Sequence, residues 1–251
     1  MFDSQTFKNQ KSRIENLRIL LWDIDGTLMR STRPGSYIEY FASTMEKVFG
    51  SCGRLEKINA SGMTDTQIMF EALEEEGFTP DRILAERENL LKTFREEMLR
   101  AHERGENLYQ VLDGVPEILE ATDKNPLFVN ALLTGNLSCA AEIKLQNANL
   151  WKYFENKPNA FGEISHDRRE LAVEAGKLFN QRFDFEFKSE QFIVIGDTPN
   201  DVACARAFGA KAVAVATGKN HSKKELAEYE PDFIFEDLKN TGEILKVLSK
   251  I

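Results

Sequence analysis

The apolar run Ile19-Leu20-Leu21-Trp22 ends abruptly in Asp23-Ile24-Asp25-Gly26-Thr27, and that junction constrains the fold more than any other stretch of the chain. A short apolar run closed by a turn-forming glycine reads as a buried strand. Side chains two apart in an extended segment share a side. Asp23 and Asp25 therefore converge at the carboxyl end of a strand, where open α/β sheets bind their ligands. Two carboxylates placed together repel unless a divalent cation sits between them or they hold different protonation states.

Two later apolar runs end in the same fashion. Leu127 to Leu133 leads into Thr134-Gly135-Asn136, and Phe192 to Ile195 leads into Gly196-Asp197-Thr198-Pro199-Asn200-Asp201. Short strands at Ala212–Val215 and Phe233–Phe235 follow, with helical patterns between. That alternation predicts an α/β fold, a Rossmann-like, doubly wound parallel sheet in which all three polar clusters meet at one edge. Residues 31–110 differ. After a hinge at Pro34-Gly35, Tyr37, Tyr40, Phe41, Met45, Val48 and Phe49 recur at helical spacing. Thr64-Asp65 and Thr79-Pro80 start further helices, the second carrying a stripe from Ile83 through Leu90, Leu91 and Phe94 to Met98. The chain thus divides into a polar lead-in at 1–16, a core at 17–30 and 111–251, and an inserted all-helical domain at 31–110. Within the core, a short strand is expected near Ala160-Phe161 and helices at Asp167–Asn180 and from Asp237. Phe183 to Phe187 reads equally as an edge strand or an extended loop.

The net charge of −9 argues against a nucleic-acid or anionic-membrane partner, because both require a basic footprint. It permits a small phosphorylated ligand, since one metal ion and a few basic groups can invert the local field. Three widely spaced cysteines, Cys52, Cys139 and Cys204, read as free thiols in a reducing compartment. The first residues carry no apolar run long enough for a signal peptide or membrane span. The expected location is the cytoplasm.

The convergent groups suit phosphate chemistry. Mg²⁺ prefers oxygen ligands from one or two carboxylates, water and substrate phosphate, and Asp23, Asp197 and the Asp25 carbonyl could supply the protein's share. Thr134 and the amides after it can hold anionic oxygens at a helix start. A carboxylate can act as nucleophile toward phosphorus provided a metal neutralises the phosphoryl charge it approaches.

The three clusters, in this order and spacing, resemble the first, second and fourth motifs of the haloacid dehalogenase superfamily, and the helical insert resembles the mobile cap of its phosphoglycolate-phosphatase-like and phosphomutase-like members. The resemblance implies a Mg²⁺-dependent phosphatase acting on a small phosphorylated metabolite. Asp23 would be the nucleophile, Asp25 the general acid and then base, and Thr134 a phosphoryl contact. Gly135 and Asn136 would bind substrate beside it. Asp197 would hold the metal with Asp23 and Asp25, and Asp201 would support the metal shell or orient a basic residue. The family's third motif requires that basic residue. Arg168 stands on the expected side of the Ala160-Phe161 segment, with Arg169 and Lys157 as alternatives. Gly62-Met63-Thr64-Asp65 resembles the cap loop that dips into the site, which would bring Thr64 to substrate, although a plain helix cap also explains it. The aromatic stripe of the first insert helix and His166 read as packing and surface positions. A monomer or weak homodimer is expected. A phosphomutase would use the same groups. A dehalogenase would leave the acid at Asp25 without a task, and a phospho-accepting regulatory domain would lack the cap.

Overall fold

The computed structural model describes residues 14–33, 35–103 and 108–251; most of the polar lead-in and the hinge residue Pro34 lie outside them. A five-stranded, fully parallel sheet runs in the order β4-β1-β5-β6-β7. Its strands are β1 (Arg18–Trp22), β4 (Phe128–Leu132), β5 (Phe192–Gly196), β6 (Lys211–Val215) and β7 (Phe233–Phe235). Helices α5 (Val115–Lys124), α6 (Ser138–Asn147), α7 (Arg169–Phe183), α8 (Pro199–Phe208), α9 (Lys223–Ala227) and α10 (Thr241–Leu248) alternate with them. Both faces are covered. Leu20 and Trp22 of β1 belong to one apolar cluster and Ile19 and Leu21 to another on the opposite side, as strand periodicity requires of a sheet buried twice.

Between β1 and β4 the chain leaves through β2 (Met29–Ser31), crosses α1 (Tyr37–Phe49), α2 (Asp65–Leu73), α3 (Pro80–Ala85) and α4 (Arg87–Glu103), and returns through β3 (Tyr109–Val111). The α1 helix packs along α4, with Phe41 and Tyr40 edge-on to Phe94 at centroid distances of 5.0 and 5.4 Å. Thr64 and Thr79 cap their helices as the sequence suggests, each accepting a backbone N–H three residues on. The antiparallel β2–β3 ribbon was not expected, because three residues per strand are too few to display a period.

Other differences from the sequence expectation are local. The stripe from Ile83 to Met98 is broken at Glu86, where α3 stops and α4 begins. The expected strand at Ala160-Phe161 is a single bridge from Ala160 to Leu133. The Asn159 side chain accepts the Leu132 N–H there and takes a backbone ladder position. Phe183 ends α7, Asp184 adopts a left-handed φ of 48°, and Phe185 and Phe187 form a loop folded back so that Phe187 meets Phe179. The last helix starts at Thr241, capped by Asn240, because Asp237 spends its carboxylate on the Lys239 amide in a turn. Among the described residues no helix is long and apolar enough to cross a membrane.

Candidate active site

Parallel register sets the site. Trp22 lies level with Leu132 on one side and with Ile195 on the other, so the residues that follow all three emerge at one edge of the sheet. Asp23 leaves β1 there, nine-tenths or more buried, and Asp197 leaves β5 beside it. Between them the chain must turn tightly. Gly26 adopts φ +91°, and a Cβ on it would lie 2.2 Å from Asp197 Oδ2, so only glycine fits. Thr27 Oγ1 donates to Asp197 Oδ1 at 3.3 Å, and Thr217 Oγ1 donates to the Gly26 carbonyl at 2.6 Å.

One oxygen from each of Asp23, Asp197 and Asp201 lies within 4.8 Å of the others. Arg168, 5 % exposed, faces this group. Its Nη2 is 3.1 Å from Asp23 Oδ1 and also bonds Asp201 Oδ1, and its Nη1 donates to the Gly62 carbonyl at 3.3 Å. Of the three basic candidates, the structure brings only Arg168 to the cluster. Arg169 pairs with Asp167 at the surface, and Lys157 lies in a separate groove. Three carboxylates against one guanidinium leave negative charge uncompensated in a desolvated place. Burial pushes the Asp23 carboxyl up to about 7, opposed by Arg168 and reinforced by Asp201 and Asp25. Burial, then Asp201 and Asp23, drives Asp197 well above the carboxylate range. A hard divalent cation held by Asp23 and Asp197 fits both the donor set and the missing charge. Asp201 fits a different role. Its Oδ2 accepts from the Thr198 amide and hydroxyl at 3.0 and 2.7 Å, while Oδ1 holds Arg168, so Asp201 orients the basic residue from within the carboxylate cluster.

Asp25 turns away from this cluster. Its Oδ2 accepts from Lys144 Nζ at 2.6 Å and from Asn136 Nδ2 at 2.8 Å, so its carboxylate is not a metal ligand in this arrangement. Lys144 also donates to Asn136 Oδ1 at 2.6 Å and lies 4.9 Å from the centroid of the Tyr109 ring. Burial opposes its charge most strongly of any single influence, but Asp25, Tyr109 and Asp65 together outweigh burial and hold the ammonium above its ordinary pKa. Sequence reasoning missed Lys144. The available signal was a lysine between Ile143 and Leu145 on a helix otherwise lined by Cys139, Ala140 and Ala141, where a buried cation needs a partner.

Thr134 is fully buried and outside the cavity wall. Its Oγ1 accepts from the Asn136 amide at 3.3 Å and side chain at 2.8 Å, so it shapes the turn that presents Gly135 and Asn136. Thr64 is likewise turned inward, donating to the His166 carbonyl at 3.1 Å while capping α2. Its neighbours Met63 and Asp65 reach the cavity instead. His166 stacks edge-on with Phe70 at 6.1 Å and does not line the cavity. The insert loop grips the sheet edge through its backbone. The Asp65 amide donates to the Gly135 carbonyl at 2.7 Å, Asp65 Oδ2 accepts the Leu137 amide at 2.8 Å, and Thr66 Oγ1 donates to the Gly162 carbonyl at 2.6 Å. These contacts enclose a cavity of about 310 Å³ between sheet edge and insert. Tyr37, Tyr40 and Phe41 form part of its wall, so the aromatic stripe of α1 both packs and lines the site.

Residues 170–241 match the HAD-hydrolase-like family model. The pyrophosphatase PpaX of Anoxybacillus flavithermus is 23 % identical over 94 % of this chain and all of its own length. Phosphoglycolate phosphatase 1 of Pseudomonas aeruginosa is 24 % identical over 89 % of this chain and 78 % of its own. A solved structure described as a predicted phosphatase from Clostridium acetobutylicum superposes with a TM-score of 0.63 at 19 % identity, covering 92 % of this chain and 99 % of that one. The family model over residues 170–241, the two curated relatives and the parallel sheet with its strand-end carboxylates agree in one likeness, to haloacid-dehalogenase-like hydrolases.

Proposed function

We propose that the protein is a Mg²⁺-dependent phosphatase that hydrolyses a small phosphate monoester through an aspartyl-phosphate on Asp23. The observation that carries this reading is the division of labour between the two strand-end carboxylates. Asp23 is desolvated among Asp197, Asp201 and Arg168, whereas Asp25 is held apart by Lys144 and Asn136. Mg²⁺ held by Asp23 and Asp197 would lower the electrostatic cost of bringing the two anions together. Arg168 adds a cation, and its Nε, buried with no partner of its own, remains free to donate to a phosphoryl oxygen.

An Asp23 oxygen attacks phosphorus in line with the ester oxygen. The P–O bond to the alcohol breaks, and the alkoxide takes the proton from Asp25 as it leaves. Asp25, now ionised, removes a proton from water. That water attacks the phosphorus of the acyl phosphate, and Asp23 is released with inorganic phosphate. Lys144 and Asn136 occupy Oδ2 of Asp25, which leaves Oδ1 to carry the transferred proton. Helices 31–110 act as a cap over the reacting groups and keep bulk water out. The free thiols fit a reducing, cytoplasmic setting.

Turnover of p-nitrophenyl phosphate should require Mg²⁺ and vanish in Asp23→Asn. Activity surviving that change would overturn the mechanism. Isomerisation of a sugar 1-phosphate without phosphate release would assign the same groups to a phosphomutase.

A further inference from the structure

The insert's half of the cavity is unlike the half built by the sheet. Its wall includes Tyr37, Tyr40, Phe41, Met63, Ile68 and Phe94, beside the small polar Ser36 and Ser61, with Tyr109 returning from the ribbon. Most of these side chains are buried, and the rings are braced edge to face, Tyr37 against Phe41 at 5.5 Å and Phe41 against Phe94 at 5.0 Å. Tyr40 and Tyr109 share a hydrogen bond at 2.8 Å, so their hydroxyls largely satisfy each other. Among the described residues, the only charged side chain that α1, α2, α4 and their loops add to this wall is Asp65, which is 8 % exposed.

The cations near the cavity do not change that balance. Lys144 is hydrogen-bonded to Asp25 and Asn136 and offsets the buried Asp65 only in part, and Arg168 is committed to Asp23 and Asp201. Arg30 and Lys219 also border the cavity, but they come from β2 and the loop after β6, and both are exposed, where solvent screens them. A leaving group with its own negative charge would meet a desolvated carboxylate with no cation from the insert to offset it. An uncharged one would bury a flat or ring face against aromatic side chains that need no reorganisation. Asp65 Oδ2 accepts the Leu137 amide, which leaves Oδ1 as an acceptor for a hydroxyl on that group.

Resting on the phosphatase reading above, we propose that the substrate is the phosphate monoester of an uncharged, ring-bearing alcohol, and that Asp65 together with the α1 aromatics excludes anionic leaving groups such as glycolate or phosphate. A sugar ring and a nucleoside base present the same kind of face, and the choice between them is made by assay.

The test measures Mg²⁺-dependent phosphate release by the full chain from glucose 6-phosphate, a nucleoside 5′-monophosphate, 2-phosphoglycolate and inorganic pyrophosphate, with p-nitrophenyl phosphate as the general reporter. At least one ring ester should exceed both anionic competitors about a hundredfold in kcat/KM, and which of the two ring esters leads identifies the ring. Asp65→Asn keeps an acceptor for the Leu137 amide and should raise the 2-phosphoglycolate to ring-ester ratio about tenfold. Tyr37→Ala, at a half-buried position, should lower kcat/KM for the ring ester chiefly through KM. Equal rates on all four substrates, a lead by either anionic one, or a ratio unmoved by Asp65→Asn would overturn the proposal. Failure to release phosphate even from p-nitrophenyl phosphate would instead remove the phosphatase reading on which it stands.

Discussion

Lys144 places a full positive charge against only one oxygen of Asp25, and that asymmetry has a kinetic signature. An alkyl phosphate expels a strongly basic alkoxide that needs a proton in the transition state, whereas p-nitrophenolate leaves without one. Lys144→Met keeps the length of the buried stem and leaves Asp25 with Asn136 as its remaining donor. The Asp25 side chain is 44 % exposed, so its charge stays solvated without its partner, while the buried Asp65 loses a cation that opposes its desolvation. The variant should lose about a hundredfold in kcat on an alkyl ester and no more than a few-fold on p-nitrophenyl phosphate. Equal losses on both would reduce Lys144 to a scaffold residue. The same region shows what single residues reveal in a sequence. Asp23, Asp25 and Asp197 were legible because each lies at the end of an apolar run, but the period of two does not hold beyond Trp22, where β1 ends, and Asp25 turns from Asp23 toward Lys144 and Asn136. Lys144 was not, because its partner lies 119 positions away and no local rule brings them together.

At the scale of elements, the loop before α2 does the most to define the cavity, and it does so through close backbone approach. A Cβ on Gly135 would lie 2.1 Å from the Met63 carbonyl oxygen, and one on Gly162 would lie 1.9 Å from the Gly135 carbonyl oxygen. Gly135→Ala should therefore push the loop off the sheet edge and break the bond from the Asp65 amide to the Gly135 carbonyl. The expected result is faster hydrogen exchange at the Asp65 and Leu137 amides and at least a tenfold loss of activity, with the amides of β1 and β5 still protected. Gly242→Ala is the control, since its added carbon meets nothing nearer than Asn240 Oδ1 at 3.9 Å. Unchanged exchange at Asp65 would mean the loop does not depend on this contact. Helix starts such as Thr64 and Thr79 were readable because capping is a property of four adjacent residues. The docking of that capped helix onto Gly135 and Gly162 was not, and neither was the β2–β3 ribbon, because both are fixed by partners about seventy or more residues away. The same lack of context made Thr64 a candidate ligand when its hydroxyl is already committed to the Gln67 amide and the His166 carbonyl.

Over the whole molecule, the chain carries a net charge of −9 and concentrates part of that excess where water is excluded. Stability must then depend on pH and metal together, with a sign that can be worked out. Burial, opposed by Arg168, raises the Asp23 carboxyl to about 7, and burial, opposed by Lys144, raises that of Asp65 to about 7. In the unfolded chain both return to about 3.9. The folded state thus binds more protons between those values. The stabilisation is complete below the unfolded pKa and is lost as pH rises through about 7, where the fold must hold desolvated charges. A cation binding to ionised Asp23 and Asp197 stabilises only the folded state, and it competes with those same protons. Without metal, the melting temperature set by these groups should fall from pH 5.5 to pH 8. The increase produced by a fixed excess of Mg²⁺ should be small at pH 5.5 and grow toward pH 8, and Asp197→Asn should abolish most of that growth. Thermal scans at matched ionic strength, with Na⁺ balancing the added Mg²⁺, separate site binding from general screening. A Mg²⁺ shift that is flat across the range, or that survives Asp197→Asn intact, would mean the buried carboxylates are compensated by some means other than a bound cation.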